Sequence, residues 1–403
     1  MIGKKGRDKV TTFFIYSNGR KIERFYVSLY CMKKIIFSLA LLLPVLAAAK
    51  APAKAVTTAA NDSHITYIAR TAVSEDGSVS FDWAASSVRV AFSGDYLLMK
   101  VSDTHKNYYN LWVDKAPTEE ADRIITTFGK DSTIVLVENA GKGSHFITLQ
   151  KRTEGEQGTT TIHSFTTQGP LLQAEPLKAR MIEVVGDSYT CGYGSENCTS
   201  KDRFSPATEN VNKAYEAILA RYFDADLMTI AHSGMGICRN YNEEHKPAIQ
   251  NYHMPERYLQ TFDENKEVIW DAGKSDWKPA ITVIYLGAND FSVSLQPSLR
   301  RYVNKYHKLL NEIKANYGED HPILCCASKS DENLFNYVRE AATSCGLKNV
   351  AYTAIFPMVD FDDDRELGAD MHPNYKAHKK IAHVILPYVA TLTGWELCDK
   401  PIK

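Results

Sequence analysis

Met181-Ile182-Glu183-Val184-Val185-Gly186-Asp187-Ser188-Tyr189 is an apolar run that ends in a Gly-Asp-Ser turn. The run reads as a strand, and the serine falls just beyond its end. Late in the chain comes Asp370-Met371-His372-Pro373-Asn374. A serine is a weak nucleophile until a base takes its proton, and histidine is the usual base near neutral pH. A serine on a tight strand-to-loop turn, with a histidine returning late, is how many α/β hydrolases are built. Each piece alone says little, because Gly-Asp-Ser is a common turn and a single histidine is more often a packed or surface residue.

From residue 180 onward, strand-like runs alternate with helical ones. The strands are expected at Met181–Val185, Asp226–Ile230, Ile281–Leu286, Pro322–Cys326 and Val350–Ile355. One amphipathic helix is expected from Asn210 to Phe223. Another runs from Pro297 to Tyr317 with Gly318 past its end, and a last one from Tyr375 to Thr393 is bent by Pro387. Strand–helix alternation implies a parallel sheet with helices on both faces, an α/β/α three-layer domain. Functional residues then lie beyond the carboxyl ends of the strands.

The preceding stretch, 62–175, reads as all-β. Val88, Val90 and Phe92 alternate with polar or small residues, Ser93-Gly94-Asp95 turns the chain, and Leu97, Met99 and Val101 resume the alternation. Short strands follow at Tyr108–Asp114, Thr133–Val137 and His145–Gln150. This spacing predicts a β-sandwich of jelly-roll type. From Met32 the chain has Lys33 and Lys34, an apolar stretch from Ile35 to Leu46, and Ala47-Ala48-Ala49. That is the layout of a secretory signal peptide over 32–49, too short in its apolar part to span a bilayer. An N-terminal membrane anchor is the alternative. On this reading residues 1–31 are a mis-called upstream extension, 50–61 is a linker, 62–175 the β domain and 176–403 the hydrolase-like domain. The protein is secreted or periplasmic with no stable membrane anchor.

The whole chain carries a net charge of −1. Residues 1–31 hold seven Lys/Arg against two Asp/Glu, and Lys33 and Lys34 add two more, so the part from Lys50 onward carries −8. An acidic protein without a basic stripe argues against nucleic acid as the partner. Seven cysteines remain after Met32: Cys191, Cys198, Cys238, Cys325, Cys326, Cys345 and Cys398. Export permits disulfides, and the odd count leaves at least one thiol free or paired between chains. No C-x-x-C and no His/Cys ligand spacing occurs, so no metal or other cofactor is expected.

Acyl transfer needs a nucleophile, a base and donors for the oxyanion. Ser188 is the candidate nucleophile, with its own N–H as one donor. His232-Ser233-Gly234-Met235-Gly236 follows the second strand, where Gly234 lets the backbone approach an oxyanion closely. Leu286-Gly287-Ala288-Asn289-Asp290 follows the third, and the Asn289 amide is a further donor. His372 is the base, and Asp370 is a candidate to orient it. Asp187 reads as a loop-organising acceptor and His232 as a packing or hydrogen-bonding residue. Gly234, Asn289 and Asp290 are also plain turn or cap residues in isolation. Their order, each after a strand, is what points to chemistry.

That order resembles the block pattern of the SGNH hydrolases. More specifically, the chain resembles carbohydrate esterase family 2, whose members join an N-terminal jelly roll to an SGNH domain. The landmarks are Asn107-Tyr108-Tyr109-Asn110-Leu111-Trp112-Val113-Asp114, Lys151-Arg152-Thr153-Glu154-Gly155, GDSYTCGYGSE (186–196), SGMGICRNY (233–241), MPERY (254–258), WDAGKSDWKP (270–279), LGANDFS (286–292) and HPN (372–374). The resemblance implies an exported acetyl esterase acting on acetylated polysaccharides of xylan or glucomannan type. It implies Ser188 as nucleophile, His372 as base, and Ser188, Gly234 and Asn289 as the oxyanion hole. Most SGNH hydrolases carry Asp three residues before the histidine; here that position is Ala369, and Asp370 is the nearby candidate. Trp270 and Trp277 are candidates to line the substrate cleft, since sugars stack on aromatic faces; for either one alone, packing of the insert onto the domain is the favoured reading. Lys151-Arg152 is expected at the domain interface. Two rivals remain: an SGNH lipase or thioesterase, and a carbohydrate-binding protein with an inactive esterase site.

Overall fold

Period-two alternation from Ser87 to Val101 buries Val88, Val90, Phe92, Leu97, Met99 and Val101 on one face, and the first sheet forms around it. The computed structural model describes residues 55–243, 252–327, 332–355, 360 and 363–403, with the backbone of 16–17 and 20–21. In the unit formed by residues 1–50, Tyr16–Ser17 pairs antiparallel with Arg20–Lys21. The signal-peptide segment 32–49 lies outside the described residues. Residues 51–403 are one compact unit with two sheets.

The first sheet is ten-stranded and antiparallel. Its principal strands are β1 (Val56–Ala59), β2 (Ser87–Ser93), β3 (Leu97–Val113), β4 (Arg123–Val137), β5 (Ser144–Lys151) and β6 (Thr160–Thr167). β3 is one bent strand where the sequence suggests two. Its first part pairs with β6, its last part with β5, and β4 follows it throughout. Register shifts between Val101 and Lys106 make the bend. There the buried Asp103 carboxylate accepts from Asn107 Nδ2 and Thr127 Oγ1, each at 2.7 Å, and this polar knot interrupts the apolar alternation. The expected linker 50–61 is in part a strand, since β1 pairs with β6 from Ala59↔Ser164 to Val56↔Thr167.

The second sheet is parallel: β7 (Met181–Gly186), β8 (Asp226–Ala231), β9 (Ile281–Tyr285), β10 (Ile323–Ala327) and β11 (Val350–Ala354), in the order β8-β7-β9-β10-β11. Each bound falls within one residue of its sequence expectation. Strand parity splits the core. Met181, Val185, Ile284, Ile323 and Cys325 face α3 (Leu299–Tyr317) and α4 (Glu332–Ser344). Ile182, Val184, Val283, Leu324 and Cys326 face α2 (Tyr215–Phe223) and α5 (Tyr375–Thr393). This yields three layers, with α1 (Ser188–Cys191) as a single turn after β7. Ser298 caps α3, and the Asn374 side chain caps α5. The sequence reading names no helix at Glu332–Ser344. It also merges α2 with a separate 3-10 turn, Val211–Lys213.

The two sheets share their cores. Ile68 and Trp83 join one apolar cluster, and Ala84 and Ala85 the other. Arg89 pairs with Asp226 at the start of β8, and Trp83 Nε1 donates to the Thr261 carbonyl at 2.9 Å. The antiparallel domain thereby covers β8, the edge of the parallel sheet. Cys191, Cys238, Cys325, Cys326, Cys345 and Cys398 are free thiols. Among the described residues no helix is long and apolar enough to cross a membrane.

Candidate active site

In the order β8-β7-β9, the chain leaves the central strand to opposite sides, which opens a crevice at the carboxyl ends. Three loops meet there. The first turns sharply at Gly186, where a Cβ would lie 1.9 Å from Thr190 Oγ1, so only glycine allows the turn. Asp187 is the N-cap of α1 and accepts from the Tyr189 N–H at 3.1 Å. Ser188 is the first residue of that turn, so its N–H has no helical partner. Burial raises the Asp187 carboxyl to about 7.

Ser188 is 7% exposed, and its Oγ lies 2.8 Å from His372 Nε2. His372 Nδ1 faces two backbone carbonyls, Ala369 O and Asp370 O, each at 3.2 Å. Carbonyls only accept, so Nδ1 carries the proton and Nε2 is the free base directed at the serine. The loop is pinned by a bridge between Leu367 and Pro373 and by Gly368 N–H donating to His372 O at 2.7 Å. Asp370 and Met371 both have left-handed backbone, φ +48° and +64°. Such strain is stored where the surroundings enforce it. Here it turns the two carbonyls toward Nδ1. Burial lowers the His372 pKa, against the opposing effect of those carbonyls.

The orienting role expected for the Asp370 carboxylate is corrected. The same left-handed turn sends that side chain away from the ring. It accepts from Tyr193 Oη at 3.0 Å, Arg203 at 3.0 Å and the Phe204 N–H at 3.1 Å. Burial raises its pKa, and these three donors outweigh that and hold it below the ordinary carboxylate value. Asp370 reaches His372 by its carbonyl and, indirectly, through Tyr193, whose ring stacks on the imidazole at 4.1 Å. Phe204 stacks on the far side of Tyr193, also at 4.1 Å.

The other two loops bring Gly234 and Asn289 to the same place. Gly234 has φ +79°. Asn289 Nδ2 donates to Met235 O at 2.8 Å and to Asp187 Oδ2 at 3.3 Å, which links it to the neighbours of both Gly234 and Ser188. Asp290 is an organiser that sequence reasoning reduced to a cap. Its buried carboxylate accepts from the N–H groups of Ile237, Cys238 and Arg239 at 2.7–2.9 Å. Burial raises its pKa to about 6 against the pull of those donors. Tyr241, 67% exposed, closes the loop by donating its N–H to Gly234 O at 2.7 Å. The reading did not single it out, although it ends the SGMGICRNY motif.

Trp270 and Trp277 are not at this site. Trp277 is buried four residues before β9, at the amino ends of the strands, next to Met181. Trp270 carries the Arg70 guanidinium on its face at 4.1 Å and packs beside Tyr317 at the end of α3. Both serve packing, because the insert that holds them seals the sheet end opposite Ser188.

His232 Nδ1 bonds Asp263 Oδ2 at 2.9 Å; burial disfavours its charge, but Asp263 raises its pKa to about 9. Arg152 is buried and spans the interface to Glu196 and the Glu209 and Ala207 carbonyls. Two clusters carry ligand-type atoms, Glu154/Cys191/Glu209 and His232/Asp263/Glu264. In the first, burial pushes the Cys191 thiol pKa up, and the thiol donates to Glu154 Oε2. In the second, the Arg257 guanidinium already pairs with Asp263 and Glu264.

Residues 67–176 match the family described as Carbohydrate esterase 2 N-terminal, and residues 182–385 match GDSL-like Lipase/Acylhydrolase. The chain is 32% identical over 321 residues to Cellulase/esterase CelE of Acetivibrio thermocellus, covering 78% of this chain and 38% of that protein. It therefore spans well under half the length of that relative. It is 29% identical over 338 residues to an Acetylxylan esterase / glucomannan deacetylase of Cellvibrio japonicus, covering 79% and 87%. The structure of a family two carbohydrate esterase from Clostridium thermocellum in complex with cellohexaose superposes with a TM-score of 0.73 at 30% identity, covering 82% of this chain and all of that one. The chain belongs to carbohydrate esterase family 2, with a GDSL-type hydrolase domain behind its β domain.

Proposed function

We propose that the protein is a secreted serine esterase that removes O-acetyl groups from plant polysaccharides of xylan and glucomannan type. The observation that carries this reading is the 2.8 Å contact between Ser188 Oγ and His372 Nε2, with Nδ1 held as a donor by backbone carbonyls. Ser188 Oγ attacks the acetyl carbonyl as its proton passes to Nε2. The tetrahedral oxyanion takes hydrogen bonds from the Ser188 and Gly234 N–H groups and from Asn289 Nδ2. The weaker 3.3 Å bond from Asn289 to Asp187 is the one an oxyanion would replace. The intermediate collapses, the C–O bond to the sugar breaks, and His372 returns its proton to the departing hydroxyl. Water, deprotonated by His372, then attacks acetyl–Ser188; acetate leaves and Ser188 regains its proton.

The exposed Tyr241 ring beside Gly234 suits stacking on a sugar. The β domain, read as a jelly roll, forms part of the wall behind this site. Export through the segment from Met32 belongs to the same proposal. The test is acetate release from acetylated xylan and acetylated glucomannan, comparing the chain from Lys50 with its Ser188→Ala variant. Release that depends on Ser188 is expected. Glycan binding without release would replace the esterase by a binding protein, and preference for long acyl chains on synthetic esters would replace it by a lipase or thioesterase.

A further inference from the structure

Glu154 belongs to the β domain, on the turn Lys151-Arg152-Thr153-Glu154-Gly155, yet its carboxylate ends among the catalytic loops. It is 1% exposed. Oε2 accepts from the Ser233 N–H and Oε1 from the Ser233 hydroxyl, both at 2.7 Å. The Cys191 thiol donates to Oε2 at 3.3 Å. Ser233 directly precedes Gly234, and Cys191 ends the single helical turn that Ser188 begins. One carboxylate therefore ties the oxyanion loop to the nucleophile turn.

Its own position is fixed from behind. Lys151 Nζ, fully buried, donates to Thr153 O and Glu154 O at 2.8 Å each. The Glu154 N–H donates to Glu209 Oε2 at 3.3 Å. At Gly155 a Cβ would fall 2.2 Å from Asp263 Cβ, so the turn is seated directly against the hydrolase domain.

We infer that Glu154 is a positioning residue for the esterase reaction: through Ser233 it fixes the Gly234 N–H relative to Ser188. It touches no substrate. The β domain is then part of the catalytic unit, because it supplies this anchor. The inference rests on the esterase reading above.

The test is a double-mutant cycle between Glu154→Ala and Ser233→Ala in the full chain, with Glu154→Gln as rescue, assayed on a soluble acetyl ester. Glu154→Ala is expected to lower kcat about a hundredfold with KM changed by no more than about twofold, the signature of misplaced catalytic groups. Glu154→Gln should stay within about fivefold of wild type, because its amide oxygen accepts from the Ser233 N–H while the serine hydroxyl turns to accept from its amide nitrogen. Ser233→Ala should cost less than Glu154→Ala and add nothing to it, since both remove one interaction. A small boronic acid, which forms a tetrahedral adduct on an active serine, should lose affinity in step with kcat. Unchanged kcat in Glu154→Ala, equal losses in the Ala and Gln variants, or additive losses in the double variant would each overturn the inference. If Glu154→Ala does not fold, Ser233→Ala decides alone: kcat and boronate affinity must both fall. A wild-type protein inactive on every acetyl ester would instead sink the esterase reading itself.

Discussion

The Tyr193 hydroxyl donates to the Asp370 carboxylate at 3.0 Å, and the Tyr193 ring lies stacked on His372. Asp370 thus supports the imidazole from the side, while backbone carbonyls set its tautomer. In a Ser-His-Asp triad, exchanging Asp for Asn damages catalysis because the tautomer is lost. Here that cause is missing. Asp370→Asn keeps an acceptor for Tyr193 and is expected to lower kcat by less than about tenfold, whereas His372→Ala should cost about a thousandfold or more. Steady-state kinetics of the two variants on one acetyl ester is the check. Equal losses would mean that the carboxylate does act on the imidazole.

Asn289 is bonded to the neighbours of both Ser188 and Gly234. Removing a single oxyanion donor costs about 10²–10³ in kcat with substrate binding largely kept. Asn289→Ala is expected to fall in that range with KM close to wild type. A rise in KM at constant kcat would make Asn289 a substrate-binding residue instead.

Tyr241 is exposed beside the oxyanion loop. Tyr241→Ala is expected to raise KM on acetylated polysaccharide by about tenfold, the order of one lost aromatic contact. It should leave kcat/KM on a small acetyl ester nearly unchanged. Comparing the two substrates isolates the sugar contact from the acyl chemistry.

Burial holds the His372 pKa below its ordinary 6.5. A base must be neutral to accept a proton, so the acid limb of kcat/KM is expected below pH 6.5. His378 provides a stability counterpart. It is fully buried against Tyr215, and burial pushes its pKa down to about 3. The unfolded chain binds that proton first, so the histidine costs stability as pH falls from 6.5 toward 3, by up to about 1.4 kcal/mol per pH unit. His378→Leu should therefore gain stability relative to wild type across that window, as read by urea unfolding at pH 6.5 and pH 4.5. A pH-independent difference would contradict the assignment.

Much of the parallel domain was legible because its strands are continuous apolar runs and its site residues follow them in short blocks. Ser188, Gly234 and Asn289 each sit within a few residues of a strand end, so finding the strand finds the loop. The direction of the Asp370 side chain was not legible. It depends on two consecutive left-handed residues, which neither Asp nor Met announces. Glu154 was visible only as part of a motif, since its role depends on how a turn of the other sheet packs. Trp270 and Trp277 pack, as the sequence favours for either one alone; what it does not say is that this end of the sheet, before β9, is opposite Ser188. The Asp103 knot shows the same limit in the first sheet, where Asn107 of the same strand and Thr127 of β4 hold the bend that makes two expected strands one.

The most direct test of the account is mass analysis of the protein quenched during turnover of an acetylated xylo-oligosaccharide. The account predicts a transient acetyl-sized mass gain on the peptide that carries Ser188, absent in Ser188→Ala. Acetate release at full rate from Ser188→Ala, or an acetyl group trapped on a different residue, would contradict it.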